Sequence, residues 1–276
     1  MATASSEHRG PPTGRPLPAI AGGAGEAPGA PSGPPSSGPP SPSVPPTRYF
    51  NFSRVAADDA ATLTDIRKLR YDVYCVECKY LDAAAYPDGI ESDEYDPHSA
   101  HFCARNEREE MVATLRLVFD SPLGFPMESH AGPLSDDYRR LPRDKAAEIS
   151  RLILAKSYRR RANDGLYGAD LGNPEGMTQQ ELAFRRSQYP LILFGLFKEM
   201  YMESLSIGLG YWLAAMEAGL QRMLSNFGLG LKQVGEPMSY YGQVIPYYAS
   251  IEELTRFVME SRPDVFKFFG QGASTS

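Results

Sequence analysis

Several features that mark large protein classes are scarce or missing in this chain of 276 residues. It has only three cysteines, which cannot form an even disulfide framework and therefore favour a reducing compartment. No stretch approaches the roughly 20 apolar residues that a membrane span requires. The N-terminus also lacks the apolar core of a secretory signal. We therefore expect no transmembrane segment and a cytoplasmic location.

Positive charge is also in deficit, because the formal net charge is -6. A protein that binds nucleic acid through the phosphate backbone needs an excess of Lys and Arg, so we expect no nucleic-acid partner. The hydrophobic content of 42% is ordinary for a globular protein and suffices for a sizeable core.

Residues 1–46 consist mainly of Pro, Gly, Ser and Ala, with few large apolar side chains. Such a segment cannot bury enough surface to offset the entropy lost on ordering. The composition predicts a disordered tail over residues 1–46 and one folded domain over 47–276, since neither an internal repeat nor a second core is evident.

The folded part alternates between helical and strand patterns. Asp58 and Asp59 are suited to cap a helix over 60–80. Two β-rich runs, Ala100–Arg105 and Met111–Phe119, predict a hairpin. The rest of the chain predicts a strand at 148–155, a loop or insertion at 156–188, a helix at 189–208, a strand at 209–216, a helix at 217–227, strands at 229–235 and 243–251, and a helix at 252–260. This order is typical of an α/β fold with one mixed central sheet flanked by helices.

Charged residues recur in four short motifs: Arg70-x-x-Val73-Tyr74, Glu91-x-Asp93-x-Tyr95-Asp96, Leu115-Arg116-Leu117 and Glu148-Ile149-Ser150-Arg151. Strand alternation would place Glu148, Ser150 and Leu152 on one face, with Ile149 and Arg151 on the other. Charges among so many apolar residues need buried partners, and the motifs supply both signs.

This order of motifs resembles the acyl-homoserine-lactone (autoinducer) synthases and the N-acyl amino acid synthases, both of the GNAT superfamily. The closest resemblance is to the PEP-CTERM/exosortase system-associated acyltransferases. It extends into the C-terminal half through Met216–Leu224 and Tyr240-Tyr241-Gly242, and covers roughly residues 55–260. Four weak motifs in the same order are more specific than any one of them.

The resemblance implies a GNAT-like fold whose sheet is splayed beside the strand of Glu148, with the acyl-pantetheine in the splay. It implies that Glu148 and Asp93 are the candidate bases, acting through water. The remaining charged residues would shape the acceptor end of the cleft: Arg70, Glu91, Asp96, Arg116 and Arg151. The resemblance thus points to transfer of a fatty acyl group from an acyl carrier protein or acyl-CoA thioester to an amino-acid-like amine.

Elementary chemistry is consistent with this reaction. An α-ammonium group has a pKa near 8 and must lose a proton before it attacks. A nearby carboxylate, directly or through one water, can accept that proton. The thioester is already activated, so the reaction requires no metal and no tightly bound cofactor. The co-substrate would be a thioester of carrier-protein phosphopantetheine or of coenzyme A.

A stretch rich in Lys and Arg is relevant to the identity of the acyl donor. The segment from Arg139 to Arg161 contains nine Lys or Arg and two acidic residues, so its formal net charge is 9 − 2 = +7. One interpretation is a docking surface for an acidic carrier protein or for the phosphates of coenzyme A. The candidate docking residues are Arg139, Arg140, Arg159, Arg160 and Arg161. The other interpretation is a solvated loop with ordinary surface charges. Arg161–Gly168 matches an acetyl-CoA phosphate loop poorly, which favours a carrier-protein donor.

Other interpretations remain open. Cys75-x-x-Cys78 and His98-x-x-His101 imitate a zinc site, but the spacing is wrong and we predict no metal. Homoserine-lactone synthases carry a Trp soon after the first Arg motif, where this chain has Cys78–Leu81. This difference favours an amino acid acceptor over S-adenosylmethionine. The alternatives are therefore an acyl-homoserine-lactone synthase that uses S-adenosylmethionine, or a non-catalytic GNAT-like protein that binds an acyl ligand in an exosortase or exopolysaccharide system.

Overall fold

A computed structural model of the chain describes residues 49–159 and 189–270, and these belong to one compact unit. The strands are β1 (Phe50–Arg54), β2 (Ser99–Asn106), β3 (Met111–Phe119), β4 (Ala146–Leu154), β5 (Tyr211–Met216), β6 (Lys232–Gln233), β7 (Met238–Ser239) and β8 (Gln243–Ser250). The helices are α1 (Ala60–Tyr71), α2 (Asp136–Arg139), α3 (Tyr189–Ser206), α4 (Ala218–Asn226), α5 (Ile251–Ser261) and α6 (Pro263–Gly270). The predicted tail (1–46) and most of the 156–188 insertion lie outside the described residues.

One mixed sheet runs through the fold in the order β1-β2-β3-β4-β5-β8-β6, and β7 pairs with β8. Strands β4 and β5 are parallel, whereas the other pairs are antiparallel. The predicted hairpin is confirmed as β2 and β3, with Phe102 opposite Leu115. The predicted mixed α/β sheet flanked by helices is therefore present.

Helices cover both faces of the sheet because its strands alternate between two apolar cores. Phe102 and Ala104 of β2 face the core that contains α3, while Cys103 between them packs against α1. Helix α1 begins at its predicted cap, since the Asp59 carboxylate accepts a hydrogen bond from the Thr62 N–H at 3.0 Å. The helix continues through Asp72–Glu77 as a π-helical segment. This extension carries Tyr74 to the edge of the site described below.

Strands β4 and β5 separate part-way along their length. They are paired from Ala146 opposite Tyr211 to Ile149 opposite Ala214, and the pairing stops there although both strands continue. The edge of β4 that faces β5 beyond Ile149 therefore has no strand partner. An unpaired strand edge presents backbone N–H and C=O groups to whatever enters the gap.

A bulge in β4 changes the predicted side-chain pattern. Arg116 lies opposite Ser150 and Thr114 opposite Ile153, so β4 contains one residue more than β3 over this interval. Arg151 has a φ of 49°, in the left-handed region. Simple alternation is therefore wrong here: Arg151 shares the loop acid Asp93 with Arg116, and Leu152 joins Ile149 in the apolar core.

Four elements are absent from the sequence prediction, namely β1 at the edge of the sheet, the single-turn helix α2, the two-residue strand β7, and α6 at the end of the described chain. All four are short and depend on tertiary partners: β1 pairs with β2, β7 pairs with β8, Tyr138 of α2 bonds Glu128, and Phe269 of α6 packs against Tyr201. No helix in the described ranges is long and apolar enough to cross a membrane.

Candidate active site

The charged motifs meet in one buried ring of alternating charges. Arg70 binds Glu91 and Asp96, Arg116 binds Asp96 and Asp93, and Arg151 binds Asp93 and Glu91. Within this set, each arginine thus hydrogen-bonds to two carboxylates, and each carboxylate accepts from two arginines. We call this set the charge ring: Arg70, Glu91, Arg151, Asp93, Arg116 and Asp96.

The charge ring is almost completely removed from solvent. Arg70 and Glu91 have no exposed surface, and only the Asp93 side chain reaches 15% exposure. Buried charges are tolerated when they are paired and hydrogen-bonded, and three arginines balance three carboxylates here. The ring therefore fastens the loop of Glu91–Asp96 to α1, β3 and β4.

The ring also fixes the ionisation of its acids. Burial alone would raise the pKa of Asp93, but hydrogen bonding and charge from Arg116, with the charge of Arg151, hold it below its ordinary value. The pKa values of Glu91 and Asp96 are lowered against burial in the same way by their arginine partners. A carboxylate with a lowered pKa is a weak proton acceptor, so this geometry favours a positioning role for Asp93.

Glu148 lies near the ring but is not part of it. Its side chain is 1% exposed, and Oε2 accepts a hydrogen bond from the backbone N–H of Met127 at 2.9 Å. Among the described residues this is the only hydrogen bond to the carboxyl group. Burial raises the pKa of Glu148 to about 8, although the Met127 N–H and the charge of Arg116 act in the opposite direction. A carboxylate with such a pKa matches an amine that titrates near 8.

A cleft opens where β4 and β5 separate, and Glu148 lines it. Apolar side chains cover part of the wall, contributed by Leu152, Phe197, Met216 and Leu220. Polar and aromatic groups cover the remainder, among them Arg151, Glu217, Tyr240 and Tyr241. The cleft thus joins an apolar wall to the buried carboxyl group of Glu148.

Aromatic rings surround the guanidinium of Arg151. Its Cζ atom lies 5.0 Å from the ring centroids of both Tyr74 and Tyr241. These rings are in edge contact with each other, and Tyr240 packs between Tyr241 and His130. Burial raises the pKa of Tyr74 to about 12, so this tyrosine is neutral near pH 7. The aromatic contacts and the charge ring together hold Arg151 in its left-handed conformation.

The cysteines and histidines do not assemble a metal site within residues 49–159 and 189–270. Cys75, Cys78 and Cys103 are free thiols, and no group of three or more His, Cys, Asp or Glu has a metal-binding arrangement there. Burial lowers the pKa of His101 to about 4, so the imidazole beside the ring is neutral at physiological pH.

The candidate docking residues separate into three groups. Arg139 and Arg140 are exposed, at 60% and 77% of their side chains, beside Asp136. Arg159 is only 3% exposed: it bonds the Leu154 carbonyl at 2.8 Å and pairs with Glu77 at 2.6 Å. The expectation that Arg159 contributes to an exposed docking surface is therefore wrong. Arg160 and Arg161 lie outside the described residues.

Comparisons with known proteins agree with this geometry. Residues 69–167 match the acetyltransferase (GNAT) domain family, and this range contains Glu148 and the whole charge ring. The chain is an acyltransferase with a GNAT-like fold. A search of curated proteins finds no match.

Solved structures that match the chain include an acyl-homoserine lactone synthase and an N-acyl amino acid synthase. The structure of BjaI, a CoA-dependent acyl-homoserine lactone synthase with SAM and isopentyl-CoA, is 18% identical with a TM-score of 0.52. It covers 80% of this chain and 98% of its own. FeeM, an N-acyl amino acid synthase from uncultured soil microbes, is 14% identical, with a TM-score of 0.45 and coverage of 76% and 96%.

Sequence reasoning did not identify the groups that hold Glu148. Met127 and its neighbours lie in the stretch 120–146, which has no helical or strand periodicity. Tyr74 was visible as the last residue of the first Arg motif, but nothing in the sequence indicated that it would contact Arg151. The aromatic run Tyr240–Tyr248 divides: Tyr240 and Tyr241 line the cleft, while Tyr247 is buried in the main core.

Proposed function

We propose that the protein is an N-acyltransferase that moves a fatty acyl group from a thioester to the amino group of an amino-acid-like acceptor. The observation that carries this proposal is the position of Glu148, a buried carboxyl group of raised pKa in the cleft between the separated strands β4 and β5. The apolar wall of Leu152, Phe197 and Leu220 supports an acyl chain as the transferred group.

In the proposed reaction Glu148 accepts a proton from the acceptor's ammonium group, directly or through one water. The free amine then attacks the thioester carbonyl, a C–N bond forms, and the C–S bond breaks to release the thiol. Backbone N–H groups on the open edge of β4 are available to the developing oxyanion and to the amides of a pantetheine arm. Asp93 would order the acceptor side through Arg116 and Arg151 rather than accept the proton.

A hydrogen-bond donor without a partner supports an acyl acceptor that carries a carboxylate. The Nε atom of Arg151 is buried and has no hydrogen-bond partner among the described residues, and Arg151 lines the cleft. A buried donor without a partner costs about 1–3 kcal/mol, which a bound carboxylate would recover. An α-amino acid presents a carboxylate for Arg151 and an ammonium group for Glu148.

The donor and the biological setting complete the proposal. The exposed pair Arg139 and Arg140 supports docking of an acidic acyl carrier protein, with coenzyme A as the alternative carrier. The order of the four charged motifs supports a relationship to the PEP-CTERM/exosortase system-associated acyltransferases. The three cysteines support action in the cytoplasm.

The test is mass spectrometry of lipid extracts from cells that overproduce the chain, compared with cells that overproduce its Glu148→Gln variant. We expect N-acyl amino acids that are present with the wild type and depleted with the variant. Acyl-homoserine lactones instead would establish S-adenosylmethionine as the acceptor. If no new acylated product is found, and the purified protein turns over neither acyl-CoA nor acyl carrier protein, a non-catalytic role would replace this proposal.

A further inference from the structure

One short turn connects Glu148 to a second group of charged and polar residues. The 3-10 turn Pro126–Ser129 lies against the start of β4 and β5, where Phe125 and Met127 are buried with Ala146 and Leu213. Met127 sits at the centre of this turn and directs its N–H to Glu148. The position of the turn therefore decides whether Glu148 keeps its hydrogen bond.

The turn is held from its other side by the carboxylate of Glu128. Oε1 accepts hydrogen bonds from the Tyr138 hydroxyl and Arg143 Nη1, both at 2.7 Å. Oε2 accepts from the Phe125 N–H at 2.7 Å and from Arg143 Nη2 at 3.1 Å. The Arg143 guanidinium also lies 4.7 Å from the centroid of the Phe125 ring. One carboxylate thus joins the turn to α2 and to the segment that precedes β4.

We propose that Glu128, Tyr138 and Arg143 are positioning residues that fix the Met127 N–H against Glu148 and thereby set how strongly this carboxyl group holds its proton. None of the three is proposed to touch substrate. The inference rests on the proposed function only in that Glu148 is taken as the base.

The physical link is the hydrogen bond itself. An N–H group binds an ionised carboxylate more strongly than a neutral carboxyl group, so the Met127 N–H favours the charged form of Glu148. If the turn loosens, this bond lengthens and the pKa of Glu148 rises further above its ordinary value. Loss of the bond corresponds to a rise in this pKa of about 0.5 to 1.

Other ionisable groups also face Glu148, and the test must keep them constant. They come from every surrounding element: Arg116 on β3, Arg151 on β4, Glu128 in the turn, Tyr138 on α2, Tyr95 in the loop of Glu91–Asp96 and Tyr240 before β8. The charge of Glu128 itself raises the pKa of Glu148. Tyr138→Phe is therefore the cleanest variant, because it removes one hydrogen bond from Glu128 and alters no charge near pH 7.

The experiment is an NMR titration of protein labelled with ¹³C at the glutamate carboxyl carbon, with the Glu148 signal assigned by its absence in Glu148→Gln. We expect Tyr138→Phe and the charge-conserving Arg143→Lys to raise the titration midpoint of Glu148 by about 0.5 pH units or more. Each variant has a matched control. Tyr201→Phe removes a hydroxyl bonded to Thr255, and Arg54→Lys alters an ion pair whose 2.7 Å length and 44% arginine exposure equal those of Arg143–Glu128.

The outcomes separate a positioning role from a structural one. If the variants at Tyr138 and Arg143 both lower the Tm yet leave the Glu148 midpoint at the wild-type value, Glu128, Tyr138 and Arg143 only stabilise the turn and the inference is wrong. A midpoint that moves equally in the two controls would also contradict it. Because the titration needs no substrate, a protein without transferase activity would overturn the proposed function and leave this test intact.

Discussion

Glu148 and Arg151 lie three positions apart on β4, yet only Arg151 belongs to the charge ring. The bulge at Arg151 turns its guanidinium to Glu91 and Asp93, whereas the Glu148 carboxyl group accepts a hydrogen bond from the Met127 N–H and, among the described residues, from no other group. The ring is charge-balanced and closed on itself. This separation leaves one carboxyl group in the cleft with a raised pKa while three neighbouring carboxylates stay ionised.

The role of Asp93 can be separated from that of a base. Asp93→Asn removes a charge shared by Arg116 and Arg151, so we expect a lower Tm and a higher acceptor KM, with a smaller change in kcat. Asp65→Asn is the control, because it breaks a partly buried ion pair with Arg105 outside the charge ring. A loss of kcat by ~10²-fold or more with an unchanged KM would instead make Asp93 the proton acceptor.

Stability should depend on pH through Glu148. The pKa is raised in the folded state, so the folded protein binds more protons than the unfolded chain between the ordinary pKa and about 8. The free energy of unfolding of the wild type should therefore fall, relative to Glu148→Gln, as pH rises through this window. Inside the window the fall approaches about 1.4 kcal/mol for each pH unit. The free energies of unfolding are measured by urea titration at pH 5 and pH 9. If the difference between wild type and Glu148→Gln is the same at both pH values, the raised pKa is contradicted.

The sequence was informative about this site only in part. The four motifs predicted which charges meet, because charged residues embedded in apolar runs must find each other when buried. The bulge could not be predicted, since a left-handed Arg151 is held by contacts with Tyr74, Tyr241 and distant acids. The fate of Arg159 was hidden for a related reason. Its partner Glu77 ends the π-helical segment; the sequence predicts a helix over 60–80, but helical periodicity does not distinguish π-helical turns from α-helical ones.

The arginines of the basic stretch should differ in what they affect. Reversal of Arg139 and Arg140 to Glu should raise the KM for a carrier-bound donor at low salt, and the effect should shrink as exposed charges are screened. Arg159→Glu would place a second acid beside Glu77 and should lower the Tm instead. If the double reversal leaves the KM for the carrier-bound donor unchanged at low ionic strength, Arg139 and Arg140 do not form a docking surface.

The N-terminal segment offers a simple test of the proposed domain boundary. A truncated chain that starts at Thr47 should keep the Tm and turnover of the full chain, because the composition of residues 1–46 predicts no contribution to a core. If the truncated chain has a markedly lower Tm or turnover, residues 1–46 contribute to the fold and the predicted boundary is wrong.

The central claim is tested most directly by the turnover of Glu148→Gln across pH 6 to 10, with the fold checked by circular dichroism. We expect a fall of ~10²–10⁴-fold at pH 7, since a positioned general base contributes about that much. The deficit should shrink as pH rises, because more of the acceptor amine is then already neutral. Glu199→Gln is the control, as it removes a half-buried carboxyl group of raised pKa on α3 that is not among the residues lining the cleft. Near-normal turnover by correctly folded Glu148→Gln at neutral pH would contradict the assignment of Glu148 as the base.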